Sequence, residues 1–243
     1  MDNQTANHNE KLKLSVIVAA FNEQDTIENC VRQIFEVYPQ QCELLVVDGG
    51  TDDTEGVVKA LVGEFPQLRY VRNHDDRGKG HAIRTGIAEA RAEVMAQIDA
   101  DLQFLPSDLP QLVAPIDENR ADVTLGTRFA TGSVRRPGST PMFRRWGNKF
   151  ASFYASLLYW HRMTDVQAGM KAWTRQAAEL IDLQSDNYSY EVEIPIKALR
   201  NKLRVVDVPI TTDARQAGET CVNVVFDGVA LLRDITRFRL GLK

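Results

Sequence analysis

The chain has 243 residues and a formal charge of −4, from 29 Lys plus Arg against 33 Asp plus Glu. That length suits one large α/β domain with a substantial core, and the acidic balance excludes a chain-wide basic field for holding nucleic acid. A hydrophobic share of 44% with 26% charged residues excludes a disordered chain, and no apolar run reaches the roughly 18 residues a bilayer-spanning helix needs. Cys30, Cys42 and Cys221 are an odd number with no close pair, which fits neither a disulfide framework nor a zinc site and points to a reducing, cytoplasmic compartment. Residues 1–10, MDNQTANHNE, are polar and carry no apolar signal region, so they read as a disordered N-terminal tail ahead of a domain over 11–243.

In chain order, Leu14 to Ala20 is a short β-branched strand broken by Phe21-Asn22-Glu23, and Asp25 can cap a helix to about Val37. Glu43 to Val47 repeats the strand, Asp48-Gly49-Gly50 turns, and Thr54 to Glu64 is predicted helical. Leu68 to Arg72 is a third strand, Asn73 to Gly80 a polar loop, His81 to Ala92 a helix, and Val94 to Ile98 a fourth strand. A helix from about Leu109 to Asn119, a strand over Asp122 to Gly126 and a loop from Phe129 to Pro141 with Arg135 and Arg136 follow. Phe143 to Arg162 is helix-like, with Phe150, Phe153, Tyr154, Leu157 and Leu158 at helical spacing. Gln167 to Lys171 is a turn or strand before Trp173, Glu191 to Leu199 a helix, Val205 to Ile210 a strand, and Val222 to Leu242 an amphipathic end. Strands alternating with helices imply a single-domain, Rossmann-like, mostly parallel sheet flanked by helices. Ligands then gather at the carboxyl ends of strands, where Phe21-Asn22-Glu23, Asp48 and Asp99-Ala100-Asp101 are expected to face one crevice.

Asp99 and Asp101 follow directly on a strand, and with Gln103 they present three oxygen-bearing side chains within five residues. Hard oxygen donors suit Mg²⁺ or Mn²⁺, and Mg²⁺ is usually shared between one or two carboxylates and substrate phosphates, so a nucleotide diphosphate is the natural third party. Without the strand-end position, a turn cap and a solvated loop acid would be the plainer reading. In DGGTDDT the later residues read as turn and cap, leaving Asp48 as the functional one. Lys79 between Gly78 and Gly80 lacks the GxxxxGK[ST] phosphate-loop pattern and is expected in a flexible turn near the nucleotide. His8, His74, His81 and His161 show no ligand spacing.

The series A19-A-F-N-E23, D48-G-G, R77-G-K-G80, D99-A-D-L-Q103, G126-T-R128, D165-V-Q-A-G-M170 and R215-x-x-G218 resembles the family 2 inverting glycosyltransferases, and within them the dolichyl-phosphate mannose synthase and dolichyl-phosphate glucosyltransferase group. The resemblance runs from about Leu14 to Asn223, with DADLQ its most specific piece. It implies a GT-A fold and an enzyme that moves a hexose from a GDP- or UDP-linked sugar to a polyprenyl phosphate. Ala19, Phe21, Glu23 and Asp48, with Lys79 nearby, would line the nucleotide. Asp99, Ala100 and Asp101 would face the diphosphate, with Asp101, Gln103 and Asp99 at the metal. Arg128 would sit between donor and acceptor phosphates, Arg215 would close on the diphosphate, Asp165 and Gln167 would lie at the floor, and Arg144, Arg145 and Asn148 would position the acceptor. The family usually has proline at Ala19, tyrosine at Phe21 and a Ser-Lys pair at Thr220-Cys221.

The basic, aromatic helix from Phe143 to Arg162, bearing Tyr159 and Trp160, has the composition of a helix resting among lipid headgroups, which predicts peripheral attachment to the cytoplasmic face of a membrane. A core-packing role, a homodimer interface or a separate membrane partner would use the same residues. Two other functions remain open on sequence: transfer to a saccharide or protein hydroxyl, with Glu191 or Glu193 as base unless they are solvated helix acids, and a noncatalytic nucleotide-sugar scaffold. A nucleotidyltransferase would need a Gly-rich basic loop after the first strand, and LSVIVAAFNE has none.

Overall fold

The structure is a computed structural model that describes residues 12–139, 142–214 and 224–241. The predicted tail and Arg215 lie outside these residues. The first half alternates strictly: β1 (Leu14–Ala20), α1 (Ile27–Val37), β2 (Cys42–Asp48), α2 (Thr54–Leu61), β3 (Leu68–Arg72), α3 (Lys79–Glu89) and β4 (Val94–Asp99). A 3-10 turn at Pro106–Asp108 leads into α4 (Leu109–Asp117), β5 (Val123–Thr127), β6 (Val134–Arg135) and α5 (Met142–Tyr159). The remainder is β7 (Lys171–Thr174), α6 (Arg175–Ile181), α7 (Tyr190–Arg200), β8 (Val205–Pro209), β9 (Thr211–Thr212) and α8 (Val224–Leu240).

Seven strands form one sheet in the order β3-β2-β1-β4-β7-β5-β8. All neighbours pair in parallel except β7, which runs antiparallel between β4 and β5. Strand side chains alternate between the faces. Val16, Val18, Leu44 and Val46 pack with Ile34 of α1, Val58 of α2 and Leu112 of α4, while Ile17, Leu45 and Val47 pack with Ile83 of α3, Ile181 of α6 and Ile194 of α7. Strands buried on both faces read as unbroken apolar runs, which is why LSVIVAA and ELLVV are legible without alternation. A third cluster joins Ala151 and Ala155 of α5, Val192 and Ile196 of α7 and Ile235 of α8.

Two local expectations are corrected. Lys79 is the first residue of α3 and lies at its helix start, not in a flexible turn. The loop before α5 contains β6, which pairs in parallel with β9 and ties the loop to the segment after β8. The helix α6 was absent from the sequence reading; Thr174 caps it by accepting the Ala177 N–H at 3.1 Å.

Gly86 marks the contact of α3 with β1. A Cβ there would come within 2.4 Å of Ile17 Cγ2, and a β-branched side chain in a strand has little freedom to yield. Helix propensity alone would make Gly86→Ala stabilising by about 1 kcal/mol, but overpacking of this kind costs about 1–3 kcal/mol. The substitution is expected to lower the urea midpoint at unchanged m-value, and a raised midpoint would show that α3 is not seated this closely.

Candidate active site

The sheet register assembles the site. Ala20 pairs with Asp48 and Ala19 with Asp99, so the ends of β2, β1 and β4 stand in one row. Strand order reverses direction at β1 and β4, and in open α/β sheets ligands bind at the carboxyl ends of strands at such a switch point. The three predicted motifs therefore meet at one crevice.

On the β1 side, Asn22 adopts a left-handed backbone (φ 59°), a region that asparagine tolerates. Its Oδ1 accepts the N–H of Thr51 at 2.8 Å, and Asp52 accepts the N–H of Gln24 at 3.0 Å. The Glu23 N–H donates to Thr54 Oγ1 at 3.0 Å, and the Thr26 hydroxyl donates to Glu23 Oε2 at 2.6 Å. These bonds staple the two loops together and leave Phe21 exposed at the rim. Asp48 is fully buried, taking the Gly50 N–H at 2.8 Å on one oxygen and the Tyr70 hydroxyl and Arg72 at 3.0 and 3.2 Å on the other. It fixes the DGG turn beside the crevice. Burial and the Asp48 carboxylate push the Tyr70 phenol up to about 12.

At the end of β4, Asp101 is buried and its Oδ1 accepts the Gln103 N–H at 2.9 Å. Leu102 between them has φ 55°, costly for a bulky residue, about 1–3 kcal/mol; its side chain is fully buried in the sheet core, which holds the turn in place. The Gln103 side-chain Nε2 donates to the Ser139 carbonyl at 2.7 Å, and the Gln103 backbone carbonyl accepts the Asp213 N–H at 2.9 Å. Asp99 has room because residue 169 is glycine: a Cβ there would lie 2.6 Å from Asp99 Oδ2.

Beneath this motif lies a network of buried charges. Lys79 Nζ meets Asp99 Oδ1 at 2.5 Å and lies 3.8 Å from Glu191. Burial opposes its charge, but Asp99, Tyr190 and Glu191 outweigh that and hold the ammonium well above the usual lysine range. Glu191 also pairs with the fully buried Lys171, whose Nζ donates to the Ala168 carbonyl, and accepts the Tyr190 hydroxyl at 2.5 Å. Gln97 Nε2 donates to Tyr190 Oη at 3.0 Å and to the Gly169 carbonyl at 3.2 Å. Burial lowers the Lys171 pKa, with Glu191 opposing.

Across the crevice Arg128 grips Asp165 with both arms of its guanidinium, Nε to Oδ2 at 2.6 Å and Nη2 to Oδ1 at 2.7 Å. Its backbone N–H also donates to Asp165 Oδ2 at 3.1 Å, and both residues are buried. Burial works against the guanidinium, and Asp165 outweighs it. Gln167 is half-buried on the same segment. Arg144, Arg145 and Asn148 fall in the first two turns of α5, with Arg145 and Asn148 half-buried. Glu191 and Glu193 are not solvated: Glu193 accepts the N–H groups of Gln184 and Ser185 at 2.9 and 2.8 Å and pairs with Lys197 at 2.6 Å.

Sequence reasoning missed Lys171, Tyr190 and Gln97. The one legible signal was a lysine opening the apolar run K171-A-W, where a charged residue on a buried strand needs a partner. No helix among the described residues is long and apolar enough to cross a membrane.

Residues 15–181 match the Glycosyl transferase family 2 domain. The chain is 29% identical to a polyprenol monophosphomannose synthase of Mycolicibacterium smegmatis, over 84% of this chain and 78% of that protein. It is 27% identical to an undecaprenyl-phosphate mannosyltransferase of Micrococcus luteus, over 95% of this chain and 100% of that one. In fold it resembles a glucosyl-3-phosphoglycerate synthase of Mycobacterium tuberculosis, solved with Mn²⁺, UDP and glucosyl-3-phosphoglycerate, at a TM-score of 0.70 and 22% identity, covering 95% of this chain and 81% of that one. With the D-x-D motif at the switch point of a GT-A-type sheet, the chain belongs to glycosyl transferase family 2 and is a glycosyltransferase.

Proposed function

We propose that the enzyme transfers a hexose, with inversion, from GDP-mannose or UDP-glucose to a polyprenyl phosphate of the dolichyl type, using Mg²⁺ or Mn²⁺. The observation that carries this reading is the convergence of Asp99, Ala19 and Asp48 at one end of the sheet, with Asp101 two residues beyond Asp99, in a chain whose relatives are named for transfer to polyprenyl phosphates. Asp101 and Asp99 are hard oxygen donors, and Gly169 leaves space at the second of them. Among the described residues they gather no third His, Cys, Asp or Glu, and two carboxylates are the usual complement for Mg²⁺ shared with phosphates. Such a cation, bound there, would offset the negative charge that grows on the departing diphosphate.

The chain's own residues supply the remainder. The stapled β1 and β2 loops shape the nucleotide seat, and Lys79, paired with Asp99, fixes that carboxylate beneath the diphosphate. An acceptor phosphate oxygen forms the new bond to the anomeric carbon while the bond from that carbon to the diphosphate breaks, and the electron pair leaves with the nucleotide. The attacking oxygen is already anionic, so positioning matters more than a general base. Glu191 and Glu193 are both consumed by internal partners, which weighs against a hydroxyl acceptor activated by either. Arg215, outside the described residues, is assigned to the diphosphate by its motif; the segment leading to it starts where the Asp213 N–H meets the Gln103 carbonyl.

The face of α5 turned away from the protein carries Met142, Phe143, Trp146, Phe150, Phe153 and Leu157, all exposed, and Trp160 follows at 88% exposure. A stripe of this size is unusual on a surface that meets only water. Beside Arg145 and Lys149 it fits a headgroup layer, so the enzyme rests peripherally on the cytoplasmic leaflet that holds its acceptor.

Release of UDP or GDP from a panel of nucleotide sugars, with Mn²⁺ or Mg²⁺ and with or without a short polyprenyl phosphate, tests the reaction. Release that requires the lipid phosphate is expected; donor binding with no release would overturn the reading. Asp101→Ala is expected to lower metal-dependent turnover by at least about 10²-fold with an unchanged circular dichroism spectrum, and retained activity would dismiss the assigned metal site. For the membrane, replacing Trp146 and Phe150 by Ser is expected to reduce flotation with anionic liposomes severalfold at unchanged thermal midpoint. Equal flotation would remove the N-terminal half of α5 from the contact.

A further inference from the structure

The antiparallel pairing of β5 with β7 ends at Leu125 and Lys171, and the buried Arg128–Asp165 pair stands beyond it. The pair is fixed within itself by two guanidinium bonds, but its place beside the crevice depends on the backbone of residues 127–129 and 164–165. That backbone is tied down by side chains. Asp207 of β8 lies opposite Leu125, and its Oδ2 accepts both the Thr164 N–H at 2.7 Å and the Thr164 hydroxyl at 2.6 Å. The hydroxyls of Thr164 and Thr127 meet at 2.7 Å, and Thr127 Oγ1 accepts the Phe129 N–H at 3.1 Å.

The chemistry of these groups sets the direction of every bond. A carboxylate only accepts, and a hydroxyl has one proton to give. Thr164 gives its proton to Asp207, so the proton between the two threonines belongs to Thr127. The chain therefore runs one way, from the Phe129 N–H through Thr127 and Thr164 to the Asp207 charge, and bonds aligned toward an ion polarise one another. Asp99, Asp165 and Glu191 each have a cation, but among the described residues none lies within ion-pair distance of the half-buried Asp207. Burial raises the Asp207 pKa, with the Thr164 bonds opposing. A carboxylate kept in such a place without a cation is costly, and what it holds is both flanks of Arg128 and the residue before Asp165. At the far end of the chain, Phe129 sets its ring 5.5 Å from Arg128 Cζ, and the Phe104 ring lies 5.9 Å from the same atom.

We infer that Asp207 is a positioning residue for sugar transfer: through the hydroxyls of Thr164 and Thr127 it sets where the Arg128–Asp165 pair stands against the transferring group. This rests on the reading of Arg128 as the arginine that meets the phosphates. Without the chain Arg128 stays paired with Asp165, but the two shift as a unit, and a displacement of about 1 Å at a reacting centre can cost about 10²-fold in rate. The nucleotide seat is built by the β1 and β2 loops, on the other side of the crevice, so the loss falls on turnover and spares nucleotide affinity.

The test compares Thr164→Val with Thr164→Ser in the full chain, and adds Asp207→Asn at the end of the chain of bonds. Valine keeps the shape of threonine and breaks the link, whereas serine retains the hydroxyl. With farnesyl phosphate as acceptor and the sugar nucleotide that the panel above selects, kcat is expected to fall at least about tenfold in Thr164→Val and in Asp207→Asn, at wild-type affinity for UDP or GDP in Mn²⁺. Thr164→Ser is expected to recover most of the rate, and the Thr164→Val/Asp207→Asn double variant to be no slower than the slower single one, as for two links of one chain. A valine variant at the wild-type rate, a serine variant as slow as the valine one, or losses that multiply in the double variant each overturn the inference. Hydrogen exchange at the Arg128 Nε–H, identified by its loss in Arg128→Lys, reads the positioning without any reaction. It is expected to quicken severalfold in Thr164→Val and not in Thr164→Ser, and equal exchange in the two overturns the inference. If the wild type glycosylates no polyprenyl phosphate, the proposed reaction fails, and the exchange comparison alone decides the role of Asp207.

Discussion

The site depends on the single antiparallel strand, β7, lodged between β4 and β5. In a parallel sheet every strand enters from the far edge and brings only its last residues to the crevice. Because β7 runs the other way, with Lys171 opposite Gln97 and Leu125, the segment that leads into it crosses the carboxyl ends of its neighbours. That segment delivers Asp165 to Arg128, Gly169 to Asp99 and Lys171 to Glu191. Reversal of one strand thus brings the floor of the site and the D-x-D motif together from residues about 70 positions apart in sequence.

The energetic demand on this floor is severe. A carboxylate removed from water costs several kcal/mol unless it is paired and hydrogen-bonded, and deleting one partner of such a pair costs about 3–5 kcal/mol because the other charge is stranded. Each floor acid has its own cation, Glu191 also accepts the Tyr190 hydroxyl, and Asp165 also accepts the Arg128 N–H. Buried charges paired in this way are held rigidly. They hold Asp99 where a ligand needs it before the ligand arrives, which is the electrostatic preorganisation that group transfer exploits.

Much of this was legible in the sequence because the first half of the chain punctuates itself. Three apolar runs each lead within two residues to a polar or acidic one, so strand, crevice and motif could be located from LSVIVAA, ELLVV and VMAQID alone. The second half hid more. Strand β7 is four residues long and opens on a lysine, and nothing local marks its direction, which is set by the partners on either side. Lys79 read as loop because glycine flanks it, yet Gly78, at φ 120°, supplies the backbone turn from which the helix begins. The aromatic stripe of α5 was visible as a periodicity, but which face pointed outward depended on the small Ala151 and Ala155 packing against α7 and α8. Arg135 of β6 and Lys149 of α5 meet over the ring of Phe129, and tertiary proximity of that kind leaves no spacing to read.

The paired floor has one more consequence. Asp99, Glu191 and Asp165 are matched by Lys79, Lys171 and Arg128, so these six groups are together electroneutral, and Asp101 adds a negative charge. A floor in that state exerts no net pull on a nucleotide diphosphate. Under the proposed function, attraction comes from a cation held at Asp101 or from residues outside the floor. By linkage, any ion that strengthens the hold on the diphosphate is itself held more tightly, by the same factor, once the diphosphate is present. Under the proposed function, the two guests are therefore expected to bind together more tightly than either alone.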